Sequence, residues 1–241
     1  MGIGRKPRDS RAPNEVCEWV CGWEFELEAR SEGAHWIAGV DEVGRGPLFG
    51  PVVAAAVILP AGAELPGLTD SKKLSEAERE HFDQQVRSRA IAWAVAEVTA
   101  AVIDEINILQ ASRLAMKLAV EQLHKPPDWL LVDGNQRIAA GCKQTTIVQG
   151  DARSLSIAAA SVIAKVHRDR LMRELDARFP GYGLAHNMGY PTPEHRAALH
   201  RLGVTELHRR SFAPVAELCG RAVREPELEM ELQFEFGEAE D

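Results

Sequence analysis

Two carboxylates stand side by side in the run Trp36-Ile-Ala-Gly-Val-Asp-Glu-Val-Gly-Arg-Gly-Pro47. An apolar approach leads into Asp41 and Glu42, and a glycine-rich turn follows at once. Ionised carboxylates at the end of a buried strand are costly unless something positive is bound there, and a divalent cation is the usual answer. The glycines of the turn allow backbone amides to come close to a polar ligand. Acids for a metal, next to bare amides for a hydroxyl or a phosphate, point to chemistry on a phosphodiester.

Two further short apolar runs also end in acid. Trp129 to Val132 leads to Asp133-Gly134-Asn135, and Thr145 to Val148 leads to Gly150-Asp151. Ligand sites of α/β sheets lie outside the carboxyl ends of strands, so Asp41, Glu42, Asp133 and Asp151 are expected to converge there. Four such groups cannot all ionise without a cation. An all-oxygen set without nearby Cys or His suits Mg²⁺ or Mn²⁺ rather than Zn²⁺. Two ions about 4 Å apart would activate water and stabilise the leaving oxygen. Asp169 is set apart from these four. It follows Asp151 by 18 residues, which a continuous helix turns into ~27 Å. Its neighbours Arg168 and Arg170 suggest a solvated, ion-paired face. The segment Gly44-Arg-Gly-Pro-Leu-Phe-Gly50 is a poor dinucleotide fingerprint, since its third glycine comes one residue late.

The elements that must position these residues follow from period and punctuation. Val16 to Arg30 reads as a helix covering one edge of the core, and Trp36 to Val40 as a first strand. Pro51 to Leu59, rich in Val and Ala, reads as a second strand, and Ala90 to Val98 as a third. A helix begins at Ser75, with Glu76 and Glu78 in its first turn. Ala100 to His124 is helical up to Pro126-Pro127. Ser154 to Phe179 is a long helix, and its first half, Ile157 to Ala164, is small and apolar on nearly every side. Strands first, then strand alternating with helix, predict an α/β fold with a mixed sheet flanked by helices.

Composition fits this picture. The chain has 241 residues, 45% hydrophobic and 27% charged, as in ordinary globular proteins. No apolar run approaches the ~20 residues of a membrane span, and Met1 to Asn14 lacks the apolar stretch of a secretory signal. Cys17, Cys21, Cys142 and Cys219 form no metal-binding spacing and read as reduced thiols of a cytoplasmic protein. The net charge of -8 misleads, because the 17 residues from Glu225 hold eight acids and no Lys or Arg. The remaining 28 acidic and 28 basic residues cancel. Within that neutral body, Lys165 to Arg210 is locally basic and holds five of the eight histidines, a distribution compatible with a polyanion.

Taken in order, several motifs resemble bacterial ribonuclease HII, of the type 2 ribonuclease H family. They are Gly39-Val-Asp-Glu-Val-Gly-Arg-Gly46, Asp70-Ser-Lys72, Val132-Asp-Gly134, Gly150-Asp151, Ala159-Ala-Ser-Val-Ile-Ala-Lys165, Gly189-Tyr190 and His208-Arg-Arg-Ser-Phe212. The resemblance covers roughly Ile37 to Leu218. It implies an RNase H-like fold and a Mg²⁺- or Mn²⁺-dependent endonuclease with two ions per site. Its partners would be RNA–DNA hybrids and duplex DNA carrying single ribonucleotides, cut 5′ of the ribonucleotide to leave 5′-phosphates, in replication and repair. Asp41, Glu42, Asp133 and Asp151 match the metal-binding acids. Gly44, Arg45 and Gly46 match a turn whose backbone contacts the ribose 2′-hydroxyl, and Tyr190 a tyrosine that stacks on the next sugar.

Other readings have less support. A ribonuclease HIII is disfavoured by the Gly-Arg-Gly turn and Tyr190. A non-catalytic hybrid-binding module is disfavoured by the presence of all four acids. The expected organisation is an N-terminal extension over residues 1–30, partly disordered, a catalytic domain over 31–220 and an acidic disordered tail over 221–241. The expected state is a monomer. In the tail, Leu232-Gln-Phe-Glu-Phe236 is faintly similar to sliding-clamp peptides, although its composition reads as solvated chain.

Overall fold

The computed structural model describes residues 21–220. Residues before 21 and after 220 lie outside them, and with them the start of the first expected helix, Cys17 and the acidic tail. The chain runs α1 (Glu24–Ser31), β1 (Ile37–Val43), β2 (Val52–Ile58), α2 (Glu76–Arg89), β3 (Ala92–Val98), α3 (Ala100–Glu121), β4 (Trp129–Asp133) and β5 (Lys143–Ile147). A 3₁₀ turn (Gly150–Ala152), α4 (Leu155–Arg178), α5 (Leu184–Asn187), α6 (Pro193–Leu202) and α7 (Ala213–Leu218) follow. The five strands form one mixed sheet in the order β3-β2-β1-β4-β5. β1, β2 and β3 are antiparallel neighbours, while β4 and β5 run parallel to β1. This is the mixed sheet flanked by helices that the sequence predicts.

Register does the positioning. Val40 of β1 lies opposite Val132 of β4, so the next residues, Asp41 and Asp133, lie abreast at the carboxyl edge. Asp133 in turn pairs with Ile147, the last residue of β5. β1 runs three residues beyond its expected end, and Asp41 and Glu42 are therefore strand residues paired with Ala55 and Ala54. Adjacent strand side chains point to opposite faces. Ala38 and Val40 pack with the α3 side of the core, and Val43 with the α4 side. Glu42 thus faces α3 and Asp41 faces α4.

The helices are placed by their caps and apolar faces. Ser75 and Glu78 form a complete capping box at α2, and Thr99 and Ser154 cap α3 and α4. Ile157 to Ala164 is buried on every side, as expected. α3 is not the continuous helix expected from its sequence. Asn107 adopts φ 67, and its side chain accepts from Gln110 N at 3.0 Å to start the helix again. α5, α6 and α7, which no periodicity signalled, build a separate apolar cluster with Leu48, Phe49, Met172 and Tyr182.

Gly39 fixes how closely α4 approaches the sheet. A β-carbon there would lie 2.0 Å from the carbonyl carbon of Ser156. Gly39→Ala must push the helix off the strand that carries Asp41. The expected loss is about 1–3 kcal/mol or more in urea unfolding. An unchanged unfolding midpoint would mean that β1 and α4 do not approach this closely.

Candidate active site

Burial and mutual repulsion define the acidic centre. Asp41 is 5% exposed, and the pKa of its carboxyl is raised well above the usual carboxylate range by burial, then by Glu42 and Asp133. Hydrogen bonds from Ser161 to its carboxylate oppose the rise, and Glu42 N donates to Asp41 Oδ1 at 2.7 Å. Glu42 is also raised by burial, with Arg45 working against it; Arg45 Nη1 lies 3.3 Å from Glu42 Oε1. Asp133 is raised by burial although Gly150 N donates to its Oδ1 at 2.7 Å. Asp151 is pushed up to about 6 by burial, then by Asp133 and Asp70. The four acids expected to meet therefore act on one another electrostatically.

Asp151 does not sit at a strand end, as the sequence suggested. It lies in the 3₁₀ turn that leads into α4, where an ion pair with Lys72 reaches its Oδ2 at 3.7 Å. Upstream, α1 fastens the same region. Ser154 Oγ and Ser156 N both donate to Glu26 Oε1, at 2.7 and 2.9 Å, and Glu26 is 1% exposed. Asp169 stays outside the cluster, as expected, but it is not solvated. It is 5% exposed and pairs with Lys165 at 2.7 Å and Arg79 at 4.0 Å.

The donor chemistry of the cluster is all carboxylate oxygen, whose raised protonation a hard divalent cation would reverse. Asp41, Glu42, Asp133 and Asp151 fit such an ion. Among the described residues, however, no three acidic, His or Cys side chains already stand close enough around one point to hold it.

Beside the acids stands the glycine turn. Gly44 has φ 89, and a β-carbon there would collide with Arg168 Nε at 2.3 Å. Both constraints require glycine. Tyr190 is 42% exposed, and a β-carbon on Gly46 would sit 3.5 Å from its Cε1. The structure thus brings the turn and the tyrosine together, although 144 residues separate them. Below Tyr190, His195 Nδ1 contacts the Tyr190 carbonyl at 2.9 Å, and His195 Nε2 lies 3.3 Å from His208 Nε2.

Comparison with known proteins agrees with this geometry. Residues 38–215 match the family model of ribonuclease HII. A curated ribonuclease HII of Geobacillus thermodenitrificans is 55% identical over 218 residues, which is 90% of this chain and 83% of the relative. The chain belongs to the ribonuclease HII family. Among solved structures, ribonuclease H2 from Pyrococcus horikoshii OT3 superposes with a TM-score of 0.65 at 25% identity, over 76% of this chain and 97% of that one. The RNase HII of Archaeoglobus fulgidus, solved in complex with PCNA, gives a TM-score of 0.62 at 26% identity, over 73% and 94%.

As a ribonuclease HII family member the chain is a ribonuclease H enzyme with the RNase H-like fold. Several residues near its site went unassigned in the sequence. Lys72 and Asp70 were visible as a motif without a role. Ser161 was hidden in an apolar helix, and its hydroxyl lies 2.9 Å from that of Ser71. The basic segment Lys165 to Arg210 reaches the surface only in part, at Arg178, Arg196, Arg201 and Arg210 among others. Arg168 and Arg209 are buried at 1% and 0% exposure, and Arg170 and Arg173 pair with Glu80 and Glu76. Burial and the neighbouring His195 push His208 down to about 3, so His208 carries no charge near neutral pH, and burial lowers His195 as well.

The acid cluster has a consequence for stability. From pH 3.8 to about 6 the folded chain holds more protons at Asp151 than the unfolded chain does, so this group's contribution falls as pH rises through that window. In EDTA, Asp151→Asn should melt a few degrees above the parent at pH 8, roughly the 2–4 °C that ~1 kcal/mol gives in a chain of this size. Below pH 4 the two should melt together. Melting curves at the two pH values decide it, and a gap that does not change with pH would contradict repulsion at Asp151.

Proposed function

We propose that this protein hydrolyses the RNA strand of RNA–DNA hybrids and incises duplex DNA 5′ of single embedded ribonucleotides, leaving 5′-phosphates. The observation that carries the reading is the meeting of three parts at one sheet edge. These are the four acids, the Gly44-Arg45-Gly46 turn, and the half-exposed Tyr190 ring against Gly46. Asp41, Glu42, Asp133 and Asp151 would hold two divalent ions, Mg²⁺ or Mn²⁺. When bound, such ions lower the pKa of an attacking water and neutralise charge on the leaving oxygen.

The chain's own groups do the rest. Asp41 would hold the cation as a carboxylate, and Ser161, which hydrogen-bonds it, would keep it oriented. Gly150 N fixes Asp133, and Lys72 holds Asp151 while remaining open to a phosphate. The turn offers backbone amides to the 2′-hydroxyl, the group that separates RNA from DNA. Tyr190 packs on the following sugar, where a deoxyribose fits with less crowding than a ribose.

The proposed setting is removal of ribonucleotides during DNA replication and repair in the cytoplasm, by a monomer. Among the described residues no helix is long and apolar enough to cross a membrane. Residues 31–220 would be the catalytic domain, with an extension before and an acidic tail after. Residues Leu232 to Phe236, whose similarity to clamp-binding peptides is faint, lie outside the described residues.

Two measurements test the proposal. Asp41→Asn or Asp133→Asn should abolish cleavage in Mg²⁺ or Mn²⁺ without loss of fold, and parental rates in either variant would remove the acids from the chemistry. Tyr190→Ala should slow cleavage at an isolated ribonucleotide roughly 5- to 150-fold, the range of a lost stacking contact, and should weaken the preference over an all-RNA hybrid. Equal cleavage of both substrates by variant and parent would make Tyr190 a packing residue only.

A further inference from the structure

Buried arginines normally face carboxylates, and two here do not. Arg168 and Arg209 have 1% and 0% of their surface exposed. The hydrogen bonds that the structure gives their guanidinium groups all end on backbone carbonyls. Arg209 donates from Nη2 to the carbonyl of Gly44 at 2.6 Å, from Nη1 to that of Arg45 at 2.9 Å and from Nε to that of Gly50 at 3.0 Å. Arg168 donates to the carbonyls of Phe49, Met188 and Pro51 at 3.2, 2.9 and 3.3 Å. Six carbonyls of the turn, of the segment behind it and of the Tyr190 approach are thereby drawn toward two positive charges.

Each peptide group is a rigid dipole, with its N–H pointing opposite to its C=O. A carbonyl anchored inward on a guanidinium therefore leaves its N–H aimed the other way. The N–H groups that share a peptide with the Gly44 and Arg45 carbonyls are those of Arg45 and Gly46, and Gly46 is the residue beside which the Tyr190 ring stands. The planar fork of arginine can hold three carbonyls in a fixed arrangement, whereas a lysine ammonium acts as a single point charge. Burying a charge is costly, and here Asp104 and Asp169 relieve it only from a distance, without a hydrogen bond to either guanidinium among the described residues. Burial pulls Arg209 down to about 9, followed by the repulsion of Arg168, so the group still carries its charge at neutral pH.

We propose that Arg209, supported by Arg168, is a specificity-positioning residue: it locks the carbonyls of the Gly44–Arg45–Gly46 turn inward so that the turn's amides are preset for a ribose 2′-hydroxyl. The exposed Arg45 side chain, which the sequence places at the centre of the turn, is not the residue that shapes it. Gly44 belongs to the same device, because any side chain there would displace Arg168. This inference rests on the reading of the turn as the 2′-hydroxyl site.

The test compares binding of two duplexes of one sequence, with and without a single ribonucleotide, by fluorescence anisotropy in Ca²⁺. Wild type should prefer the ribonucleotide duplex. Arg209→Lys keeps a positive charge but loses the three-way fork, and should lose about tenfold of that preference, the worth of one well-made hydrogen bond or slightly more. Affinity for the all-DNA duplex should change less than twofold, and the circular dichroism spectrum at the assay temperature should be that of wild type. A general loss of structure would lower both affinities together, which would overturn the assignment. If Arg209→Lys does not fold, Arg168→Lys, which leaves Arg209 in place, decides in the same way. A wild-type preference fully retained by the folded variant overturns this inference and leaves the reading of the turn standing. A wild type with no preference overturns that reading, and this inference with it.

Discussion

Carboxylates in a poorly hydrated place repel one another, and at this sheet edge the repulsion is imposed by backbone register. Val40 opposite Val132 and Asp133 opposite Ile147 leave Asp41, Glu42 and Asp133 no choice of neighbours. The chain bears that cost through the large apolar area buried elsewhere. α4 and α3 cover the two faces of the sheet, and β1 between them carries two of the four acids. An arrangement that weakens the protein when no cation is present is expected of a site built for a cation.

The same logic applies with opposite sign a short distance away. Arg168 and Arg209 are buried cations held by carbonyl dipoles, and they lie behind the Gly44–Arg45–Gly46 turn. Acids on one side and carbonyl-bound guanidinium groups on the other leave little room for the loop between them to move. Tyr190 is tied into this frame through its own backbone, because its carbonyl meets His195, and Leu48 N donates to the carbonyl of Gly189 at 2.8 Å.

Much of this was legible in the sequence, for identifiable reasons. The strands around Asp41 and Asp133 are short, apolar and sharply punctuated, so both their existence and their acidic ends could be read directly. The long helix from Ser154 was visible because its cap, its apolar half and its Pro-Gly stop agree. Register could not be read, and so β1 was expected to end at Val40, three residues early. The break at Asn107 was hidden by a run with good helical propensity. Short α5, α6 and α7 pack by tertiary contact around Phe49 and Tyr182 and have no period of their own to detect. Charge was the least legible property. Arg168, Arg209 and Asp169 look like surface residues in the sequence, and only the fold shows that they are buried.

α4 is the longest helix of the molecule, and its amino end lies just beyond Asp151. Such an end is ordinarily an attractive place for a phosphate, because its first amides are unpaired and its dipole is positive there. Here none of those amides is free. Leu155 N is taken by the Gly22 carbonyl, Ser156 N by Glu26, Ile157 N by the Ser154 hydroxyl and Ala158 N by the Ser154 carbonyl. The Glu26 carboxyl itself occupies this helix end, accepting from Ser156 N at 2.9 Å. The helix is in effect already quenched by a residue that precedes the family match at residue 38. The amino end of α4 therefore offers an incoming anion no unpaired amide.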